Sequence, residues 1–234
     1  MTSRSIALAA IVACLLAFVA RAQEGGARAQ EGGARAQEGG ASAEIDVATG
    51  GTIVVTLTVG DVKIETWRKA KARLVNRDGD ERHGSRIVAR ETADGVSFEY
   101  VGRQGDFRLA IPESSSLELT VSAGDIRLES DIAGDLRLTT HGGDIRAREV
   151  GGDATLTTHG GDVVGEDVGG YLRASSSGGD LFFGDVGDGA EISAAAGDIV
   201  VKSVGGAFSA KTAGGDLVVG SVGGAANMKT AAGD

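Results

Sequence analysis

Apolar residues in the second half of this chain return on a nine-residue step, two apart within each step. Steps are numbered here from their Gly-Gly pair, so that Gly142 is position one. In one kind of step the fourth position reads Ile145, Val163, Leu181, Ile199, Leu217, and the ninth reads Val150, Val168, Val186, Val204, Val222. In the alternate kind the sixth position reads Leu138, Leu156, Ala174, Ile192, Ala210, Met228. The third position is Asp144, Asp162, Asp180, Asp198, Asp216 and Asp234 in the first kind but drifts in the second, so the true unit is 18 residues in two unlike halves. A spacing of two is the period of a strand with one buried face. Such columns stack only when each coil lies about 4.8 Å above the last with parallel pairing. The pattern predicts an all-β chain, a right-handed parallel β-helix or β-roll with 18-residue coils over 124–234. Each coil buries its face only against its neighbours. Gly-Gly-Asp is predicted to turn the corners through positive φ.

Upstream, over 44–123, the alternation persists without the exact repeat. Runs at 52–59, 61–67, 72–76, 85–92, 95–101, 106–111 and 116–121 read as strands, separated by turn signals such as Asp78-Gly79 and Asp94-Gly95. No stretch keeps a helical period over ten residues. This part is predicted to be a less regular β beginning of the same solenoid.

The first 22 residues have a different pattern. Ile6 to Ala20 is an unbroken apolar run of about 15 residues after Arg4, and Ala20-Arg21-Ala22 is an A-x-A cleavage site. Residues 1–22 are read as an export signal cleaved after Ala22; acylation at Cys14, in a lipobox-like Ile11-Val12-Ala13-Cys14, is the less favoured alternative. The mature chain would then contain no cysteine and no membrane-spanning stretch. ARAQEGG follows in three copies, and 23–43 is read as a flexible low-complexity tether.

Composition changes the picture by exclusion. The chain has 39 Gly and one Pro in 234 residues, but the glycines do not fall every third residue, so collagen is excluded. With 41% hydrophobic residues in register, simple disorder is excluded too. A net charge of −10 argues against nucleic acid as a partner.

The candidate chemistry is sparse. The Asp column is read as capping the N–H groups of its own turns, with weak cation sites as the alternative. Its place at the third position does not fit the calcium-binding nonapeptide, which has Asp at the sixth. His141 and His159 lie one coil apart beside Asp144 and Asp162, and stacking would bring the four together as metal candidates. Thr140, Thr158, Thr212 and Thr230 share a column, which raises an ice-binding face, although Ser176 and Ala194 interrupt it. Arg137, Arg146, Arg148 and Arg173 near Glu149, Glu166, Asp167 and Asp185 are read as a solvated sheet surface rather than a catalytic carboxylate cluster. No nucleophile triad, Walker loop or HExxH occurs, so no catalytic residue and no cofactor is assigned. The fifth position should face outward, yet it reads Arg146 and then Val164, Phe182, Val200, Val218. Those four apolar residues are read either as a strip covered by other parts of the chain or as an interaction strip for a surface partner or a second copy. At Asp234 no polar cap is written, so the natural chain is expected to continue or to dock there on another subunit.

The run IPESSSLELTVSAGDIRLES with its following GGD-[ILV] and V-GG units, and the earlier GTIVVTLTVGDVKIETWRKAKARLV, resembles the bacterial putative-adhesin family, exported β-helix repeat proteins of unknown function. The resemblance spans about 45–234. It implies an exported, non-enzymatic envelope or surface β-helix with an adhesin-like role, and it supplies no catalytic residues. The alternative reading is a carbohydrate-binding or carbohydrate-cleaving β-helix of the envelope.

Overall fold

The computed structural model describes residues 36–78, 85–102 and 104–233. The leader 1–22, with Cys14, and the tether up to residue 35 lie outside the described residues. Among the described residues there is no helix, and 21 strands form an eleven-stranded and a ten-stranded sheet.

The 18-residue coil is present as predicted. Ile145, Val163, Leu181, Ile199 and Leu217 pair in sequence, each with its equivalent one coil on, in parallel. Leu138, Leu156, Ala174, Ile192, Ala210 and Met228 do the same on the other sheet. The alternation places these side chains inward, and nearly all are buried; Leu217 is partly covered and Met228 is exposed on the final described coil. Val150, Val168 and Val186 are buried at the bend between the halves, joined by single parallel bridges. Volume is conserved across coils: the Phe183 ring occupies the space that a side chain at Gly165 would take.

All seven predicted upstream strands form, within one or two residues of the expected bounds. Their order in the stack differs from their order in the chain. Thr52–Val59 lies between Gly95–Val101 and Ser116–Ala123, parallel to both, and Val62–Trp67 lies between Phe107–Pro112 and Ile126–Leu128. Antiparallel strands close the upstream end. Arg86–Thr92 folds back on Gly95–Val101, and Lys71–Asn76 runs against Phe107–Pro112. The tether is shorter than the 23–43 expected. Residues 36–39 pair with Arg86–Thr92, and Ser42–Asp46 pairs with Lys71–Asn76, burying Ala43 and Ile45. The physical reason is the uncovered sheet edge, whose unpaired backbone groups and apolar face accept any alternating segment within reach.

The corner glycines meet the expectation in part: Gly124, Gly197 and Gly215 have positive φ, at 138°, 110° and 125°. Gly143, Gly161 and Gly179 do not have positive φ. They are needed because the coils approach closely. A Cβ on Gly161 would run into the carbonyl oxygen of Gly143, and one on Gly143 into that of Gly124. At this corner the first glycine of the pair, Gly142, Gly160, Gly178 or Gly214, meets nothing so close, and the chain itself places Ala123, Ala196 and Ala232 in that slot. At the other corner a Cβ on the first glycine, Gly151, Gly169, Gly205 or Gly223, would itself run into a backbone carbonyl oxygen.

The Thr column also needs correction. Thr140, Thr158, Ser176 and Thr212 are buried, so they form no ice-binding face. Each hydroxyl donates to a corner carbonyl: Thr140 to Gly124 (3.0 Å), Thr158 to Gly143 (2.9 Å), Ser176 to Gly161 (3.0 Å), Thr212 to Gly197 (3.1 Å). The eighth position shares its strand face with the inward fourth and sixth, which is the physical reason. Thr158→Val keeps the shape and removes both the bond to Gly143 and the acceptor for the Gly161 N–H (3.3 Å). It is expected to lower unfolding free energy in urea by about 1–2 kcal/mol, leaving a buried carbonyl without this donor.

Candidate functional site

The outer face of the ten-stranded sheet carries three parallel rows, set by positions three, five and seven. Position three is the Asp row. Its carboxylates do not cap their own turns, as was expected; each reaches to the next coil. The backbone N–H of Asp162 donates to Asp144 Oδ1 (3.0 Å), Asp180 to Asp162 (2.9 Å), Asp198 to Asp180 (2.8 Å) and Asp216 to Asp198 (2.8 Å). The row continues upstream, with Asp144 N–H on Asp125 and Asp125 N–H on Asp61, both at 3.0 Å. Stacking puts the next coil's N–H within reach of Oδ1, and an ionised acceptor makes a stronger bond. An acceptor-preserving change is therefore tolerable: Asp198→Asn is expected to leave the melting temperature nearly unchanged, while Asp198→Ala lowers it, by about 1–2 kcal/mol of lost stability. Thermal unfolding of the two variants checks this.

Position five holds the strip. In register order it reads Arg108, Lys63, Arg127, Arg146, then Val164, Phe182, Val200, Val218. The cations pair with acids beside them: Arg127 with Asp125 (3.3 Å), Arg146 with Asp144 (3.4 Å), Lys63 with Glu129 (3.6 Å) and Arg108 with Glu65 (3.5 Å). The apolar four point outward as the alternation predicted. Phe182 is 39% and Val218 53% exposed, and Val164 and Val200 are half-buried. The upstream strands extend the sheet instead of covering it.

Position seven and its neighbours are mixed. Arg148 contacts Asp131 (3.2 Å) and Glu166 (3.7 Å), and Lys202 meets Asp185 (2.7 Å). The Lys202 ammonium, and then the Ser203 hydroxyl, hold the Asp185 carboxyl below the ordinary carboxylate value. Arg173 on the other sheet loosely faces Glu191 (3.8 Å). These are exposed pairs of small energetic weight.

The structure brings His141 and His159 together, rings 4.9 Å apart and 6° from parallel, on the exposed corner. Parallel rings send their nitrogen lone pairs side by side rather than toward one point, and Oδ1 of both Asp144 and Asp162 is taken by a backbone N–H. Among the described residues no group of three or more His, Cys, Asp or Glu has the placement to hold a metal ion.

One site was not found from the sequence. A cavity of about 390 Å³ lies at the upstream end, lined by Val47, Trp67, Arg68, Lys69, Pro112 and Glu113 among others. The Trp67 indole N–H donates to the Lys71 carbonyl (2.6 Å), which fixes the ring, and the Lys69 ammonium lies 4.7 Å from the ring centroid. Arg68 makes no ion pair among the described residues. The available signal was the only tryptophan of the chain followed at once by Arg68-Lys69.

No family model matches the sequence. No curated protein matches it. Solved structures do. A crystal structure described as a putative adhesin from Bacteroides fragilis NCTC 9343 aligns with a TM-score of 0.50 at 15% identity, covering 81% of this chain and 95% of that one. One described as a putative cell adhesion protein from Clostridium sporogenes ATCC 15579 aligns with a TM-score of 0.37 at 10% identity, covering 84% of this chain and 100% of that one. The first likeness is one of fold; the family resemblance read from the sequence is supported at that level. No helix among the described residues is long and apolar enough to cross a membrane.

Proposed function

We propose that this chain is an exported, non-enzymatic, adhesin-like protein of the bacterial envelope or surface, which works by presenting a sheet face to a partner. The observation that carries the reading is the outward apolar strip Val164, Phe182, Val200, Val218, of which Phe182 and Val218 are exposed and Val164 and Val200 half-buried. Parallel sheets are ordinarily covered on both faces, and contiguous exposed apolar residues mark interaction surfaces. The leader pattern of 1–22 and the fold likeness to the Bacteroides protein support it. The test is Phe182→Lys together with Val200→Lys. The double variant is expected to keep its circular dichroism and melting temperature but to lose retention on the envelope. Unchanged retention would retire the strip as the working surface.

A second reading, saccharide binding, is favoured by the Trp67 cavity. An aromatic face beside two cations suits a sugar ring that bears an acidic group. Trp67 is the only tryptophan, so its fluorescence reports on the cavity directly. A saturable change with uronic-acid oligosaccharides, lost in Arg68→Ala, would establish this reading. A flat titration would remove it.

A further inference from the structure

The outer face of the ten-stranded sheet follows a local rule that breaks at one place. In two successive coils the position-five Arg pairs with the position-three Asp of its own coil, Arg127 with Asp125 and Arg146 with Asp144. From the next coil onward position five is apolar, but the Asp stays. Among the described residues Asp162, Asp180 and Asp198 make no ion pair; Oδ1 of each accepts a backbone N–H, and the second oxygen has no cation within ion-pair distance. The loss of the cation and the gain of apolar surface therefore occur in the same coils. The surface lacks two things side by side: a partner for its apolar row and positive charge for the acid row along its edge.

We infer that this strip, with Asp162, Asp180 and Asp198 along its edge, seats a basic amphipathic helix of about three turns carried by a partner. The inference rests on the strip being the working surface proposed above. A second copy of this chain does not supply the missing charge, because the cations of its own position-five row, Arg108, Lys63, Arg127 and Arg146, are already paired with acids and the chain carries a net −10. The acid row also opposes an anionic bilayer surface. The spacing selects a helix over an extended peptide. Residues of the strip recur about every 4.8 Å, and same-face residues of a strand recur about every 6.6 Å, so an extended peptide loses register within two steps. A helix repeats every 5.4 Å or so, and its apolar ridge at i, i+3/i+4, i+7 follows the four-residue strip along its length. Two residues along a strand separate the two rows by about 6.6 Å, a distance that a Lys or Arg beside the ridge spans with its stem lying on apolar surface. On the opposite flank Gly184, between Glu166 and Lys202, and Gly220, beyond Lys202, leave open space, and Glu166 and Lys202 are already paired with Arg148 and Asp185. Parallel sheets elsewhere are covered by helices in this manner.

The experiment is fluorescence anisotropy on the full chain with three labelled 14-residue peptides. The first has Leu at i, i+3, i+4, i+7 and Lys elsewhere; the second replaces Lys by Glu; the third replaces Leu by Ser. Saturable binding is expected for the first peptide alone. Asp180→Asn with Asp198→Asn keeps the Oδ1 acceptors of the coil ladder, so the melting temperature holds, yet affinity is expected to fall by about tenfold or more. Phe182→Ser with Val200→Ser is expected to lose binding outright. Glu118→Gln with Glu191→Gln, on the opposite sheet, is the charge control and should bind normally. Equal weakening by this control, or equal binding of the Glu or Ser peptides, would overturn the helix. If retention on the envelope depends on the strip while no helical peptide binds, the helix is wrong and the strip stands. If retention ignores the strip, both fall.

Discussion

Leu181→Asp is expected to abolish cooperative folding, while Arg173→Asp leaves it nearly intact. Leu181 has no exposed surface and pairs between Val163 and Ile199 in the inward column. A carboxylate there has no cation and no spare donor, since the strand N–H groups are already used between coils. Burying it costs several kcal/mol, a large part of the 5–15 kcal/mol or so that holds a typical domain together. In a stack where each coil touches only its neighbours, a broken coil also uncouples those on either side. Arg173 lies on the exposed face of the other sheet, 3.8 Å from Glu191 and with its guanidinium 4.6 Å from the Tyr171 ring centroid. Losing both contacts costs about 1 kcal/mol or less. Urea titrations followed by circular dichroism separate the two variants. Similar midpoints would mean that the inward and outward columns are wrongly assigned.

The second large effect distinguishes two adjacent glycines. Gly161→Ala is expected to destabilise by about 2–3 kcal/mol or more, because the new methyl meets the Gly143 carbonyl and both belong to packed backbone with no rotamer to yield. Gly160→Ala is expected to be neutral or slightly stabilising. Its Cβ would lie 3.8 Å from the nearest atom, the His141 carbonyl oxygen, and the unfolded chain loses conformational freedom. Thermal melts of the two single variants, identical in composition, check the contrast. Equal melting temperatures would show that the coils can separate at the corner without loss.

Which features could be read from the chain follows from where their information lies. The 18-residue coil, the inward columns headed by Ile145 and Leu138, and the outward direction of Phe182 are local patterns repeated in register. Repetition converts a weak period-two signal into a column, and a column has only one way to stack. The inward Thr158 was legible by the same parity, and only its polar hydroxyl argued otherwise. The Asp144 ladder was half legible: a carboxylate at a turn has to accept an N–H, but stacking distance decides whether that N–H belongs to its own turn or the next coil. Three features required the tertiary structure. Thr52–Val59 sits between Gly95–Val101 and Ser116–Ala123 because strands with the same alternation are interchangeable until loops and edges choose among them. Residues 36–46 join the sheets because an open edge lies within their reach. Trp67, Arg68 and Pro112 meet around one cavity through pairings distant in the chain. Nearest-neighbour order is written in the repeat, whereas contacts between dissimilar, distant segments depend on the closure of the whole chain, which no local period records.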